Sequence, residues 1–336
     1  MTIKVAISGA GFIAGVHARA VKNSDEAVVD AVVEFDPQKG RAFAADHGIK
    51  RVYQSVNELL KDGGADALVI GVPNVLHAPQ AIAALSAHIP VLVEKPMAMN
   101  AAEAASMLET GQRNNTVLMV AHCWRFDEEA RWLRGQVETG LLGNILRTKG
   151  YGVHSNWGPE GWFKQKALAG GGALVDMGIH ALDTARYLLG DPEPESVFAK
   201  IGTNYIEADV DDTGVVIVTW KNGAVTYLEA GWWQPHMDGP EAATQLYGQK
   251  GFGSLFPTLL EIPNTEEMRV DTIDPGYAFP REDHAPQEMY DRQMAYFLEC
   301  VKSGKTPIPG ALEGWINMRI LVAAYQSARE GNVVYL

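Results

Sequence analysis

Apolar and polar positions in the first third of the chain switch between two rhythms. Short β-branched runs alternate with stretches in which apolar residues recur every three or four places. "IKVAISG" (3–9) gives way to "FIAGVHARAVKN" (12–23), and "AVVDAVVEF" (27–35) to "PQKGRAFAADHG" (37–48), which closes on glycine. "SVNELLKDG" (55–63) reads as a short helix with Ser55 as its cap. The alternation continues through "ADALVIGVP", "NVLHAPQAIAALSAH", "PVLVEKP", "NAAEAASMLETGQRN" and "TVLMVAHC", which ends at 123. Strands separated by amphipathic helices pair in parallel through crossover connections. Residues 1–122 are therefore expected to form an α/β domain around a doubly wound parallel sheet.

The rhythm changes near residue 123. "DEEARWLRGQVETG" (127–140) is helical, and "NILRTKGYGVHS" (144–155) alternates like a half-buried strand. "GGGALVDMGIH" (170–180) opens a helix. "GVVIVTW" and "AVTYLEAGWW" are alternating runs joined through Asn222-Gly223, a strong hairpin signal. "ATQLYGQKGFGSLF" (243–256) predicts a second hairpin. The Pro-, Asp- and Glu-rich segment from Glu261 to Pro286 reads as surface loops, and two helices close the chain. Residues 123–336 are expected to form a substrate-binding and oligomerisation domain with an open, mostly antiparallel sheet, its last helices free to pack back on the first domain.

Composition narrows the function. A length of 336 residues favours two domains. The net charge of −13, with no basic run, argues against nucleic acid and anionic membrane surfaces. Cys123 and Cys300 are the only cysteines, so no disulfide framework or cysteine-rich zinc site is expected. The start "MTIKVAISGAG" lacks the apolar core of a signal peptide, and no run is long enough to span a bilayer, so a cytoplasmic protein is expected.

"GAGFIA" (9–14) lies between the first strand and the first helix, where a dinucleotide fingerprint belongs. Gly9 permits the tight turn, Gly11 admits a pyrophosphate, and Ala14 lets helix and strand pack. Gly9, Gly11, Phe12 and Ile13 are the expected contacts at the helix N-terminus, whose N–H groups attract the anion. Glu34, 25 residues after Gly9, is placed to bind the adenosine ribose and repel a 2′-phosphate. That favours NAD, with NADP as the alternative; Asp36 is the competing acid. Asn74, His77, Glu94 and Lys95 follow two further strands at the same sheet edge, where ligands of open parallel sheets sit. His77 could equally be an internally bonded helix-start residue. Pro96 restricts the backbone at Lys95. Further along, Asp176 and His180 stand four apart on a helical pattern and so share a face. Gly170–Gly172 and Gly178 are read as letting a ligand approach that helix.

The stretches "GAGFIAGVHARA", "GVPNVLHAPQAIAAL", "VLVEKPMAMNAAEA" and "GGGALVDMGIHALD" together resemble the glucose–fructose oxidoreductase and inositol dehydrogenase (Gfo/Idh/MocA-like) family, in order and separation, over nearly the whole chain. The resemblance implies a Rossmann domain followed by an α/β domain with an open antiparallel sheet. It implies NAD(P)-linked oxidation or reduction of sugars, polyols and inositol-like alcohols, a cis bond at Lys95-Pro96, and a homodimer or homotetramer through the second sheet. Alcohol oxidation needs a base titrating near neutrality, which suits His180. Asp176 would orient it, and Lys95 would stabilise charge on the substrate oxygen. Lys95 is the alternative proton acceptor.

Substrate contacts are expected at Arg125, His154, Trp157 and Trp162, alongside Lys95, Asp176 and His180. Arg125-Phe126 matches the family's Arg-Phe, whereas His122 stands where the family commonly has Asn. Trp232, Trp233 and His236 are further pocket candidates. Tryptophan suits a sugar ring, although its commoner uses are core and subunit contact. His17 and His47 are read as structural, and no metal is expected. Two alternatives to a dehydrogenase are NAD-dependent glycoside cleavage with cofactor recycling and a non-catalytic nucleotide sensor on the same fold.

Overall fold

The computed structural model describes residues 2–235 and 241–336; His236 lies outside the described residues. The chain divides into two compact units. One comprises residues up to Phe126 with Ala285–Met318, the other Asp127–His284 with Arg319–Leu336. A cut at 122 differs from this division in two respects: Cys123–Phe126 and the segment Ala285–Met318 belong with the first sheet.

The first unit is built on six strands: β1 (Ile3–Ser8), β2 (Ala27–Val33), β3 (Arg51–Tyr53), β4 (Ala67–Ile70), β5 (Val91–Glu94) and β6 (Leu118–Ala121). Their order is β3-β2-β1-β4-β5-β6, every pair parallel. This is the doubly wound order, and its switch point lies between β1 and β4. β4, β5 and β6 are buried along their whole length, which is why they read as unbroken apolar runs. Three of the crossover helices carry side-chain caps at their N-termini. Asp36 accepts from the Gln38 and Lys39 N–H groups, Ser55 from Glu58 N, and Asn100 from Ala102 and Glu103 N. Asp36 is thereby committed as a cap, which disfavours it as the ribose acid. β3 has only three residues, too few to show a period.

The second unit carries nine strands: β7 (Ile145–Ser155), β8 (Pro194–Gly202), β9 (Thr213–Trp220), β10 (Val225–Gln234), β11 (Ala242–Gly248), β12 (Phe252–Leu255), β13 (Leu259–Asn264), β14 (Arg269–Ile273) and β15 (Val334–Tyr335). The order is β14-β13-β12-β11-β7-β10-β9-β8-β15, antiparallel except for β7 with β10. Both predicted hairpins are present. The expected loops from Glu261 are in part a third hairpin, β13–β14. Its residues are mostly exposed, so charge and proline are tolerated there and mask the strand signal. Helix Ala311–Glu330 gives its first part to the first unit and its second part to the other. Among the described residues no helix is long and apolar enough to cross a membrane.

Candidate active site

At the carboxyl ends of β1 and β4 the backbone makes a tight turn. Gly9 has φ +102°, and a Cβ there would lie 2.3 Å from the Gly71 carbonyl oxygen. Helix Phe12–Lys22 starts at Gly11 with no side-chain cap, and a Cβ on Gly11 would meet nothing within 4 Å. Its first-turn N–H groups therefore face open space, as an anion site needs. Glu34 at the end of β2 is buried. One of its oxygens accepts from Ala10 N at 3.1 Å and the other from Asp36 N at 3.2 Å. A carboxylate has about four acceptor positions, so capacity remains for ribose hydroxyls. Phe12 and Phe35 flank this turn at 85% and 81% exposure. An uncapped helix start, a glycine turn closed on Gly71 and a buried acid beside it fit NAD.

The next strand ends are more closed than the sequence reading expected. His77 is buried, its Nδ1 2.8 Å from the Pro96 carbonyl and its Nε2 2.8 Å from that of Val72. Burial pushes its pKa down. The two carbonyls and Glu94 pull the other way, Lys95 adds to the lowering, and the balance is below the ordinary value. Glu94 lies 2.7 Å from His17 Nε2 and accepts from Lys95 N at 3.1 Å. Both side chains thus hold hydrogen bonds inside the first unit, the alternative the sequence left open for His77. Lys95, half-buried, follows Glu94, and the Lys95-Pro96 bond is cis. Asn74 is buried at the start of a short helical turn. Arg125 is buried in the turn Cys123–Phe126, and His122 is buried with its Nε2 3.2 Å from Asn317 Nδ2.

In the second unit the glycine run has a different cause from the one expected. A Cβ on Gly172 would lie 1.8 Å from the Asp211 carbonyl oxygen, and one on Gly171 would lie 2.1 Å from the Tyr325 hydroxyl. The Asp211 carboxylate accepts from Gly172 N and Leu174 N, both at 2.8 Å, and from the Tyr325 hydroxyl at 2.6 Å. The run is bare so that Asp211 can reach the orphan N–H groups of a helix start, not so that a ligand can. Gly178 likewise abuts Ala230 on β10, 3.0 Å from a Cβ placed there. Leu174–Gly178 winds as a π-turn that leads into helix Ile179–Leu188. Asp176 and His180 lie along this path, both half-buried. Trp232, fully buried, donates its Nε1–H to Asp176 Oδ2 at 3.1 Å. It is a support for the acid and not a pocket wall.

Aromatic side chains gather around the ends of β7 and β10. His154 stacks on Trp157 with ring centroids 3.6 Å apart and planes 14° apart. Trp157 donates its indole N–H to Glu241 and leaves 46% of its surface exposed. Trp233 N donates to the Trp157 carbonyl at 2.8 Å, and Trp162 stacks on Phe163 at 3.9 Å. Among the described residues no three His, Cys, Asp or Glu side chains group as metal ligands.

Comparison with known proteins agrees with this geometry. Residues 3–122 match the model of an oxidoreductase family with an NAD-binding Rossmann fold, and residues 130–252 match the GFO/IDH/MocA C-terminal domain. The chain is 30% identical to D-glucoside 3-dehydrogenase of Escherichia coli (strain K12), over 99% of this chain and 97% of that one. The chain belongs to the GFO/IDH/MocA oxidoreductase family. Another relative is scyllo-inositol 2-dehydrogenase (NAD(+)) of Bacillus subtilis (strain 168), 29% identical over 99% of this chain and 96% of that one. Levoglucosan dehydrogenase in complex with NADH and levoglucosan has the same fold, with TM-score 0.89, 24% identity and coverage of 100% and 99%.

In this GFO/IDH/MocA chain the sequence reading missed Asp211, Tyr325 and the role of Trp232. "DVDD" at 209–212 is a signal of sorts, two buried acids before a strand. Its neighbour Asp212 accepts from the Asn204, Tyr205 and Ile206 N–H groups. Acids spent on distant backbone donors leave no spacing rule to read.

Proposed function

We propose that this NAD-binding oxidoreductase moves a hydride between nicotinamide and a hydroxyl-bearing carbon of a sugar, polyol or inositol-like substrate. The observation that carries the reading is an acid held in place on the same helical path as an imidazole. Asp176 is held by Trp232 at 3.1 Å, and His180 follows it by four residues on one continuous helical path. Gly9, Gly11, Phe12, Ile13 and Glu34 hold the cofactor, with Asn74 beside them. When bound, the nicotinamide supplies the hydride acceptor or donor.

His180 takes the hydroxyl proton in oxidation and returns it in reduction. Asp176 keeps the ring oriented and stabilises its charged form. Lys95 donates a hydrogen bond to the substrate oxygen and stabilises its developing negative charge. Trp157 offers a flat face to the substrate, with His154, Trp162 and Arg125 as further contacts. The names of the curated relatives, a glucoside dehydrogenase and an inositol dehydrogenase, support this substrate class.

A panel of sugars, glycosides and inositols with NAD or NADP, followed by NADH absorbance, tests the reading. Lys95→Ala, Asp176→Ala and His180→Ala should each lower kcat by roughly 10²- to 10⁴-fold while NAD binding persists. Substrate consumption without net NADH would indicate cleavage with cofactor recycling instead. Unchanged turnover in all three variants would remove the mechanism.

A further inference from the structure

The Glu94-Lys95-Pro96 main chain is tied at two points, the Lys95 N–H and the Pro96 carbonyl, by buried side chains that the proposed chemistry does not use, and a third buried side chain holds one of those ties. His17, on helix Phe12–Lys22, places Nε2 2.7 Å from Glu94 Oε1 and is completely buried. Glu94 Oε2 accepts the N–H of Lys95 itself at 3.1 Å. On the other side His77 Nδ1 meets the Pro96 carbonyl at 2.8 Å, and its Nε2 faces the Val72 carbonyl at 2.8 Å. Burial alone would push the Glu94 carboxyl up. The hydrogen bond and charge of His17, with Lys95 and His77, bring it below the ordinary carboxylate range. The carboxylate therefore stays ionised and accepts both bonds.

A buried polar couple of this kind is a poor way to gain stability, since apolar side chains of similar volume often do as well. What it supplies is direction. Hydrogen bonds to the Lys95 N–H and the Pro96 carbonyl, one of them backed by His17, restrain how the main chain at 94–96 presents Lys95. Misplacing a reacting group by 1 Å can cost about 10²-fold in rate.

We propose that His17 and His77 are positioning residues for Lys95, His17 acting through the Glu94 carboxylate and His77 through the Pro96 carbonyl. This rests on the reading that Lys95 acts in the reaction, and the experiment separates the two. It is a double-mutant cycle on the full-length protein, with kcat, substrate KM and NAD affinity measured for each variant. His17→Leu should lower kcat by ~10- to 100-fold while substrate KM and NAD affinity stay within about threefold. His17→Gln, which keeps a donor toward Glu94, should recover most of the loss. In a Lys95→Ala background, His17→Leu should change the residual rate by less than about twofold.

Wild-type kcat in His17→Leu, or the same fold loss with and without Lys95, would overturn the link. Full turnover in Lys95→Ala would overturn the functional reading and the link together. Loss in Lys95→Ala with none in His17→Leu overturns the link alone. Should His17→Leu not fold, Glu94→Gln carries the same cycle, because it keeps the shape and removes the charge that accepts from His17.

Discussion

His77 shows what burial does to a single titratable group. Its folded pKa lies below the ordinary value, because desolvation outweighs the carbonyls and Glu94. An unfolded imidazole titrates near ~6.5, so the unfolded chain binds the proton first as pH falls. The contribution of His77 to stability is complete above that value and is lost as pH drops through the folded pKa. His284 in the second unit is shifted the same way, by burial and by Arg281. Glu94, also lowered, loses its contribution only below its unfolded value of 4.5. The urea midpoint should therefore fall between pH 7.5 and 5.5, and the double variant His77→Gln/His284→Gln should flatten that slope. Both cysteines are buried, and burial pushes the Cys123 thiol up to about 12. Neither should react with a thiol-exchange dye at pH 8 until the protein is denatured. Fast labelling of the native protein would contradict the packing around them.

At the scale of the element, the helix start at 170–178 is specified by a residue far away in sequence. Gly172→Ala would push a methyl group into the Asp211 backbone, where nothing can swing aside. Overpacking of this kind costs about 1–3 kcal/mol, and loss of the Asp211 bonds adds to it. Gly135→Ala, on the exposed helix Glu128–Glu138 with no atom within 4 Å, should instead stabilise slightly. Thermal melts of the two variants test the contrast. The strands β4, β5 and β6 were legible because each is buried on both faces, and β9 with β10 because alternation and Asn222-Gly223 agree. β8 alternates too, yet it lies beyond the helix with no hairpin signal to mark it. The π-turn was not legible at all, since it spans a single turn and has no sequence signature of its own. Lys95, Asp176 and His180 stood out by residue type and spacing. Asp211, Tyr325 and Trp232 did not, because their partners are backbone N–H groups or side chains 37 or more residues away.

Over the whole molecule, the nine-stranded sheet has two unlike faces. Val216, Val218, Leu228 and Ala230 are buried on one. On the other, Phe198, Ile217 and Tyr227 are register neighbours across β8, β9 and β10 and stay partly exposed, Ile217 at 38%. Such an apolar row on a sheet is a docking surface in want of a partner. The homodimer or homotetramer expected from the sequence resemblance would cover this row. Light scattering after gel filtration should show an oligomer for the native protein and a shift toward monomer for Ile217→Lys. A monomeric native protein would rule this out.

The one parallel pair in that sheet, β7 beside β10, brings two chain segments about 80 residues apart to a common rim. Asn156 N, the first residue after β7, donates to the carbonyl of Gln234, the last residue of β10, at 2.9 Å. The segment after Ser155 lies outside both strands, so no strand register depends on its length. Changes of length in that segment should therefore leave the thermal melting point of the sheet within a few degrees of the native value, which a melt of an inserted variant would check.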